Sequence, residues 1–157
     1  MKKIVLVSDN HSKMDVLKCI YEANQDADYF LHCGDSEKTP EELKPFISVR
    51  GNNDYGDDFP MELQLMIGGK KILIMHGHRY VTIGYFDKLV YKAMETEADI
   101  CFFGHTHVFS DFVEQGIHFV NPGSCWRNRD GSEPTFAIVY IDGDSIKVER
   151  KFVSEVM

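Results

Sequence analysis

The stretch Asp99-Ile-Cys-Phe-Phe-Gly-His-Thr-His107 ends a short apolar run in Gly104 and then sets two histidines two residues apart. In extended backbone successive side chains alternate between faces. His105 and His107 are therefore expected on one side and Thr106 on the other. Two imidazoles at a strand end make half of a metal site, or the edges of two neighbouring ones. Asp9 and His11 repeat the spacing. Further candidate ligands close other apolar runs: Asp35 after Gly34, Asn52 within Arg50-Gly-Asn-Asn-Asp54, and His76 in His76-Gly-His78.

Carboxylates, imidazoles and an amide oxygen, with no thiolate, suit manganese, iron or zinc better than copper(I) or an iron–sulfur cluster. Asp9, His11, Asp35, Asn52, His76, His105 and His107 are too many for one tetrahedral ion and suit two ions sharing a bridge. A carboxylate bridges well because it has two oxygens and a charge to divide, which makes Asp35 or Asp9 the candidate. Two divalent ions outweigh two carboxylates and a bridging hydroxide. The positive remainder attracts a phosphate ester and stabilises its attacking and leaving oxygens.

The elements that must position these residues alternate at first. Residues 3–8 read as a buried strand, followed by a helix from an N-cap at Ser12, with Asp15 in its first turn and Leu17, Ile20 and Tyr21 on its apolar face. Residues 28–33 and 46–49 are further strands, separated by a short helix that starts at Pro40 and is stopped by Pro45. Residues 61–67 and 70–75 form a hairpin about Gly68-Gly69. Residues 84–97 form an amphipathic helix carrying Tyr85, Phe86, Leu89, Val90, Ala93 and Met94. After His107 only strands follow: 108–114, 117–120, 135–141 and 145–153. The expected class is α/β, one domain over residues 1–157, with two sheets face to face and helices outside. Apart from 61–67, each strand of the first two-thirds delivers a candidate ligand, and in α/β folds the crevice lies beyond the strands' carboxyl ends.

The net charge of -8 argues against a nucleic-acid track or an anionic membrane surface as partner. Cys19, Cys33, Cys101 and Cys125 contain no C-x-x-C, so reduced thiols and a cytoplasmic setting are expected. Lys2 and Lys3 before an apolar run imitate a signal peptide, but Asp9 cuts that run short.

In order, Asp9-x-His11, Gly34-Asp35, Gly51-Asn52-x-Asp54, His76-Gly-His78 and Gly104-His105-x-His107 resemble the motifs of the calcineurin-like metallophosphoesterases. The likeness is strongest to the small YfcE-type phosphodiesterases, whose further loop Asn121-Pro-Gly-Ser124 matches. The resemblance implies a four-layer α-β-β-α β-sandwich. It implies one ion on Asp9, His11, Asp35 and His107 and a second on Asp35, Asn52, His76 and His105, with Asp35 the bridge. Manganese is the implied metal, with zinc, iron, nickel or cobalt as substitutes. The implied reaction is hydrolysis of a small phosphate ester, a diester above all, by in-line attack of a metal-bridging hydroxide.

One position departs from the pattern. Many members carry a proton-donating histidine where this chain has Asn53, which donates hydrogen bonds but no proton at neutral pH. Asn53 is then a phosphate contact, and His78 is either its partner and substitute acid or a loop support. Among the remaining polar residues, Asp54 reads as a loop anchor and His32 as a satisfied core or near-site histidine. Arg127 and Arg129 either gather phosphate or are simply solvated. Ser124 lacks a G-x-S-x-G elbow, and His118 has no motif around it. The 85–94 stripe reads as core or as a contact in a homo-oligomer. The rival to catalysis is a metal-binding protein scaffold, a use to which eukaryotic relatives of the fold are put.

Overall fold

The computed structural model describes residues 1–82 and 84–157. In chain order its elements are β1 (Lys2–Val7), α1 (Met14–Ala23), β2 (Tyr29–His32), α2 (Pro40–Leu43), β3 (Ile47–Ser48), β4 (Glu62–Ile67) and β5 (Lys70–Met75). Then come α3 (Asp87–Glu95), β6 (Ile100–Phe102), β7 (Ser110–Glu114), β8 (Ile117–Asn121), β9 (Thr135–Asp142) and β10 (Ser145–Phe152). The strands form two five-stranded sheets, ordered β10-β9-β1-β2-β3 and β4-β5-β6-β8-β7. Within them β1, β2 and β3 are parallel, as are β5, β6 and β8, while the remaining pairings are antiparallel.

Strand alternation sorts the apolar residues into three slabs. Ile4 and Leu6 of β1, Ile72 and Ile74 of β5, Ile100 and Phe102 of β6 and Val139 of β9 meet between the sheets. Their neighbours Val5 and Val7 pack with Phe136 and Ile138 against Leu17 and Ile20 of α1. Leu73, Cys101 and Phe119 pack against Leu89 and Ala93 of α3. Strands buried on both faces need apolar residues at every position, which is why β1 and β5 read as continuous runs. Each fully buried Leu, Ile or Phe contributes about 1.5–3 kcal/mol. The architecture is the expected sandwich between helices.

Two local expectations change, and one cap is added. Ser12 is not a cap: α1 starts at Met14 behind Lys13, without a side-chain cap bond. Ser12 sits at φ 69, and its N–H donates to the Ser36 carbonyl at 2.9 Å, so it serves the turn out of β1. α2 gains a cap not foreseen from Pro40 alone, a reciprocal box in which Thr39 and Glu42 each accept from the other's backbone N–H. The third helix begins only at Asp87, leaving Tyr85 off its face and exposed along with Met94, while Leu89 and Ala93 are core. Among the described residues no helix is long and apolar enough to cross a membrane.

Candidate metal centre

The parallel strands of both sheets end at one edge of the sandwich, and their exit loops meet there. Asp9 Oδ1 lies 3.3 Å from His107 Nε2 and 3.8 Å from the Nε2 atoms of both His11 and His76. Asp35 Oδ2 lies 3.3 Å from His76 Nε2 and 3.8 Å from His11 Nε2. Two triads of ligand type result, Asp9 with His11 and His107, and Asp9 with Asp35 and His76. Asn52 and His105 complete the wall, with Asn52 Oδ1 3.2 Å from His105 Nδ1 and the His105 and His76 ring centroids 5.2 Å apart. All seven predicted ligands are therefore brought together.

The backbone achieves this differently from the alternation expected. β6 stops at Phe102, and His105 and His107 lie in the loop beyond it at φ 70 and 58. Asp9, His11 and Asp35 are likewise left-handed, at φ 55, 42 and 61. Such angles strain non-glycine residues and persist only where surrounding bonds over-determine them. Here the N–H groups of Asp9 and His11 donate to the carbonyls of Gly34 and Asp35 at 3.0 and 3.1 Å, and the His105 N–H donates to Asp9 Oδ2 at 3.2 Å. Two motif glycines make room: a Cβ on Gly51 would meet Asp35 Oδ1 at 2.1 Å, and one on Gly104 would meet Ser8 Oγ at 2.2 Å.

Hydrogen bonds also aim the rings. His76 Nδ1 and His107 Nδ1 donate to the carbonyls of Cys33 and Arg127, each at 2.8 Å. A carbonyl only accepts, so Nδ1 carries a proton and Nε2 is the atom turned to the cluster. His11 Nδ1 instead meets a carboxylate, Glu37 Oε2, at 3.2 Å.

Burial raises the Asp9 carboxyl, but His76 and His107 override it and hold it below the usual range. Asp35, likewise raised by burial, is held well below that range by His76 and the Asn53 donors. Burial alone would lower His76, yet Asp9 and Asp35 raise it to about 9. The cluster thus calls for positive charge. Asp9 Oδ1 and His76 Nε2 are buried and have no hydrogen-bond partner among the described residues. Two such atoms turned inward, with imidazole, carboxylate and amide donors around them, fit divalent cations.

The other singled-out residues sort by contact. Asn53 donates to Asp35 through its N–H at 2.8 Å and through Nδ2 at 2.9 Å. Asp54 is the loop anchor expected, accepting from the N–H groups of Asp35, Glu37 and Gly51 at 2.9, 2.8 and 2.7 Å. His78 stands at the rim, 5.5 Å from the His76 ring, with burial and then His76 lowering its pKa. His32 is a satisfied core histidine between Asn10 Oδ1 and the Gly34 N–H, pushed by burial down to about 4. Ser124 is no nucleophile: its buried hydroxyl donates to the Asp9 carbonyl at 2.7 Å and accepts from two N–H groups. Arg129 Nη1 donates to the His105 carbonyl at 3.2 Å, Arg127 lies over the Trp126 ring, and His118 pairs with Asp111 away from the cluster. Glu37 and Trp126, which touch His11, carried no motif to mark them in the sequence.

Residues 1–144 match the calcineurin-like phosphoesterase superfamily domain. The probable metallophosphoesterase YsnB of Bacillus subtilis (strain 168) is 34% identical over 148 residues, covering 92% of this chain and 88% of its own. Among solved structures, a conserved uncharacterized protein of Streptococcus pneumoniae TIGR4, a predicted phosphoesterase, superposes with a TM-score of 0.90 at 34% identity. That match covers 98% of this chain and 90% of the other. Yfce, a phosphoesterase from E. coli, shares the fold at 21% identity, with a TM-score of 0.72 over 99% of this chain and 95% of its own. The chain belongs to the calcineurin-like phosphoesterase superfamily.

Proposed function

We propose that the chain is a dinuclear-metal phosphodiesterase. Asp9, His11, Asp35 and His107 would hold one ion and Asp35, Asn52, His76 and His105 the other. The observation that carries this reading is Asp35 Oδ2, within 3.8 Å of both His11 and His76, which belong to different ion sets. Asp9 Oδ1 also reaches both rings, and the two triads share Asp9. That leaves the bridge as the point to test. Manganese is the proposed metal. When bound, such ions supply a water-derived nucleophile at neutral pH and neutralise charge on the phosphate.

The chain's own residues orient the substrate. Asn53 uses one Nδ2 hydrogen on Asp35 and keeps the second for a phosphate oxygen. His78, whose buried Nδ1 has no partner among the described residues, faces the substrate from the rim beside His76. Asn53 stands where many members carry the histidine acid and gives no proton, so diesters whose leaving group needs little help are the favoured substrates, with His78 the substitute acid.

The test strips the protein with chelator and titrates manganese back while hydrolysis of a chromogenic phosphodiester and of a monoester is followed. Activity returning at two ions per chain, faster on the diester, is expected. Two bound ions without turnover would turn the reading to a scaffold. Asp35→Asn is expected to weaken both ions and lower activity about 100-fold or more. Two ions and near-normal activity in that variant would refute the bridge.

A further inference from the structure

Trp126 is the chain's only tryptophan, yet it is left 37% exposed. Its place is fixed to the centre: Ser124 Oγ accepts from the Trp126 N–H at 3.0 Å and donates to the Asp9 carbonyl at 2.7 Å. Its ring lies 5.1 Å from the His11 ring, which lies 5.2 Å from the His107 ring. The indole therefore lies against one proposed ligand, His11, and stands one side chain away from a second, His107.

Beyond it opens a groove of about 580 Å³, lined by Ser12, Lys13, Asp15, Lys38, Trp126 and Pro134 among others. Its size is that of a small-ligand site. In a chain of net charge -8, this wall carries two lysines against one carboxylate, with Lys38 also 3.8 Å from Glu42 outside it. The exposed Arg127 guanidinium rests 5.1 Å from the indole centroid, so the ring already takes a planar group.

Resting on the phosphodiesterase reading, the geometry points to Trp126 as the platform for a nucleobase on one ester arm of the substrate. The groove beyond takes a further anionic group of the same molecule through Lys13 and Lys38. A base held one sugar away from the scissile phosphate reaches the indole while the phosphate sits at the ligand cluster. The base displaces the exposed guanidinium from the ring. Stacking of this kind is tolerant of base identity because every base offers a π-face.

Two esters with the same leaving group separate this inference from the reading beneath it. Thymidine 5′-p-nitrophenyl phosphate carries a base; methyl p-nitrophenyl phosphate does not. Trp126→Ala is expected to raise KM for the thymidine ester about tenfold more than for the methyl ester, and Trp126→Phe to retain part of the preference. Bound ions per chain are counted in each variant. Equal losses on both esters would overturn the platform while leaving the phosphodiesterase intact.

Fluorescence decides the matter even where neither ester turns over. Since Trp126 is the sole tryptophan, zinc-loaded protein should show saturable quenching by thymidine 5′-monophosphate and none by ribose 5-phosphate. No quenching by either, or equal quenching by both, would overturn the assignment.

Discussion

The two ends of the sandwich handle the same backbone problem in opposite ways. At the far end the hairpins β4–β5, β7–β8 and β9–β10 turn through positive φ on Gly68, Gly69, Gly116 and Gly143, with Gln115 the exception. At the centre, Gly34 and Gly77 are joined at positive φ by Asp9, His11, Ser12, Asp35, Glu37, His105 and His107. Glycine adopts that conformation without a Cβ penalty, whereas other residues lose about 1–2 kcal/mol there. The far end needs only a reversal, and glycine supplies it. The centre needs carboxylates and imidazoles at the reversal itself, so strain remains and hydrogen bonds such as those to Asp54 hold it in place.

The comparison breaks most sharply at Gly51. Its added methyl would collide with Asp35, so Gly51→Ala should abolish tight binding of both ions and lower activity about 100-fold or more. Calorimetric metal titration checks this; unchanged binding would mean that the Asp35 loop is free to shift.

Next comes His32, whose native pKa is about 4 against an ordinary 6.5. As pH falls the unfolded chain takes up this proton first. The contribution is therefore whole above pH 6.5 and is lost between 6.5 and 4, up to about 3 kcal/mol. His32 ring signals should stay unchanged by NMR from pH 8 to about 5, and a titration near 6.5 would contradict the buried, neutral assignment.

Glu37→Gln removes the only carboxylate on a proposed ligand's Nδ1 among the described residues. One ion should weaken about 10–100-fold while the other holds. Equal weakening of both ions would assign Glu37 to the loop rather than to His11.

The smallest effect belongs to the far end. Gln115→Gly should stabilise by roughly 1 kcal/mol in urea melts, since its φ is 53, and leave metal binding untouched. A loss of bound metal would show that the two ends are coupled.

Much of this was legible beforehand. The apolar run at residues 3–8 marked a buried strand, that at 70–75 a strand, the Gly68-Gly69 pair marked a hairpin, and five ordered motifs named the ligand cluster. These are local signals, set by side-chain type and spacing along a few residues. His105 and His107 reach the cluster without strand alternation, which holds only inside a strand, because β6 ends before them.

Tertiary structure alone decided the rest. Asp9 accepts from His105 across 96 residues, Asn53 locks Asp35, Ser124 ties its loop to Asp9, and Trp126 lies against His11. Each pairing depends on how two sheets stack and which strands run parallel. A residue's own neighbours carry no record of that, because the free energy that fixes it comes from side chains packed between sheets, far apart in the chain.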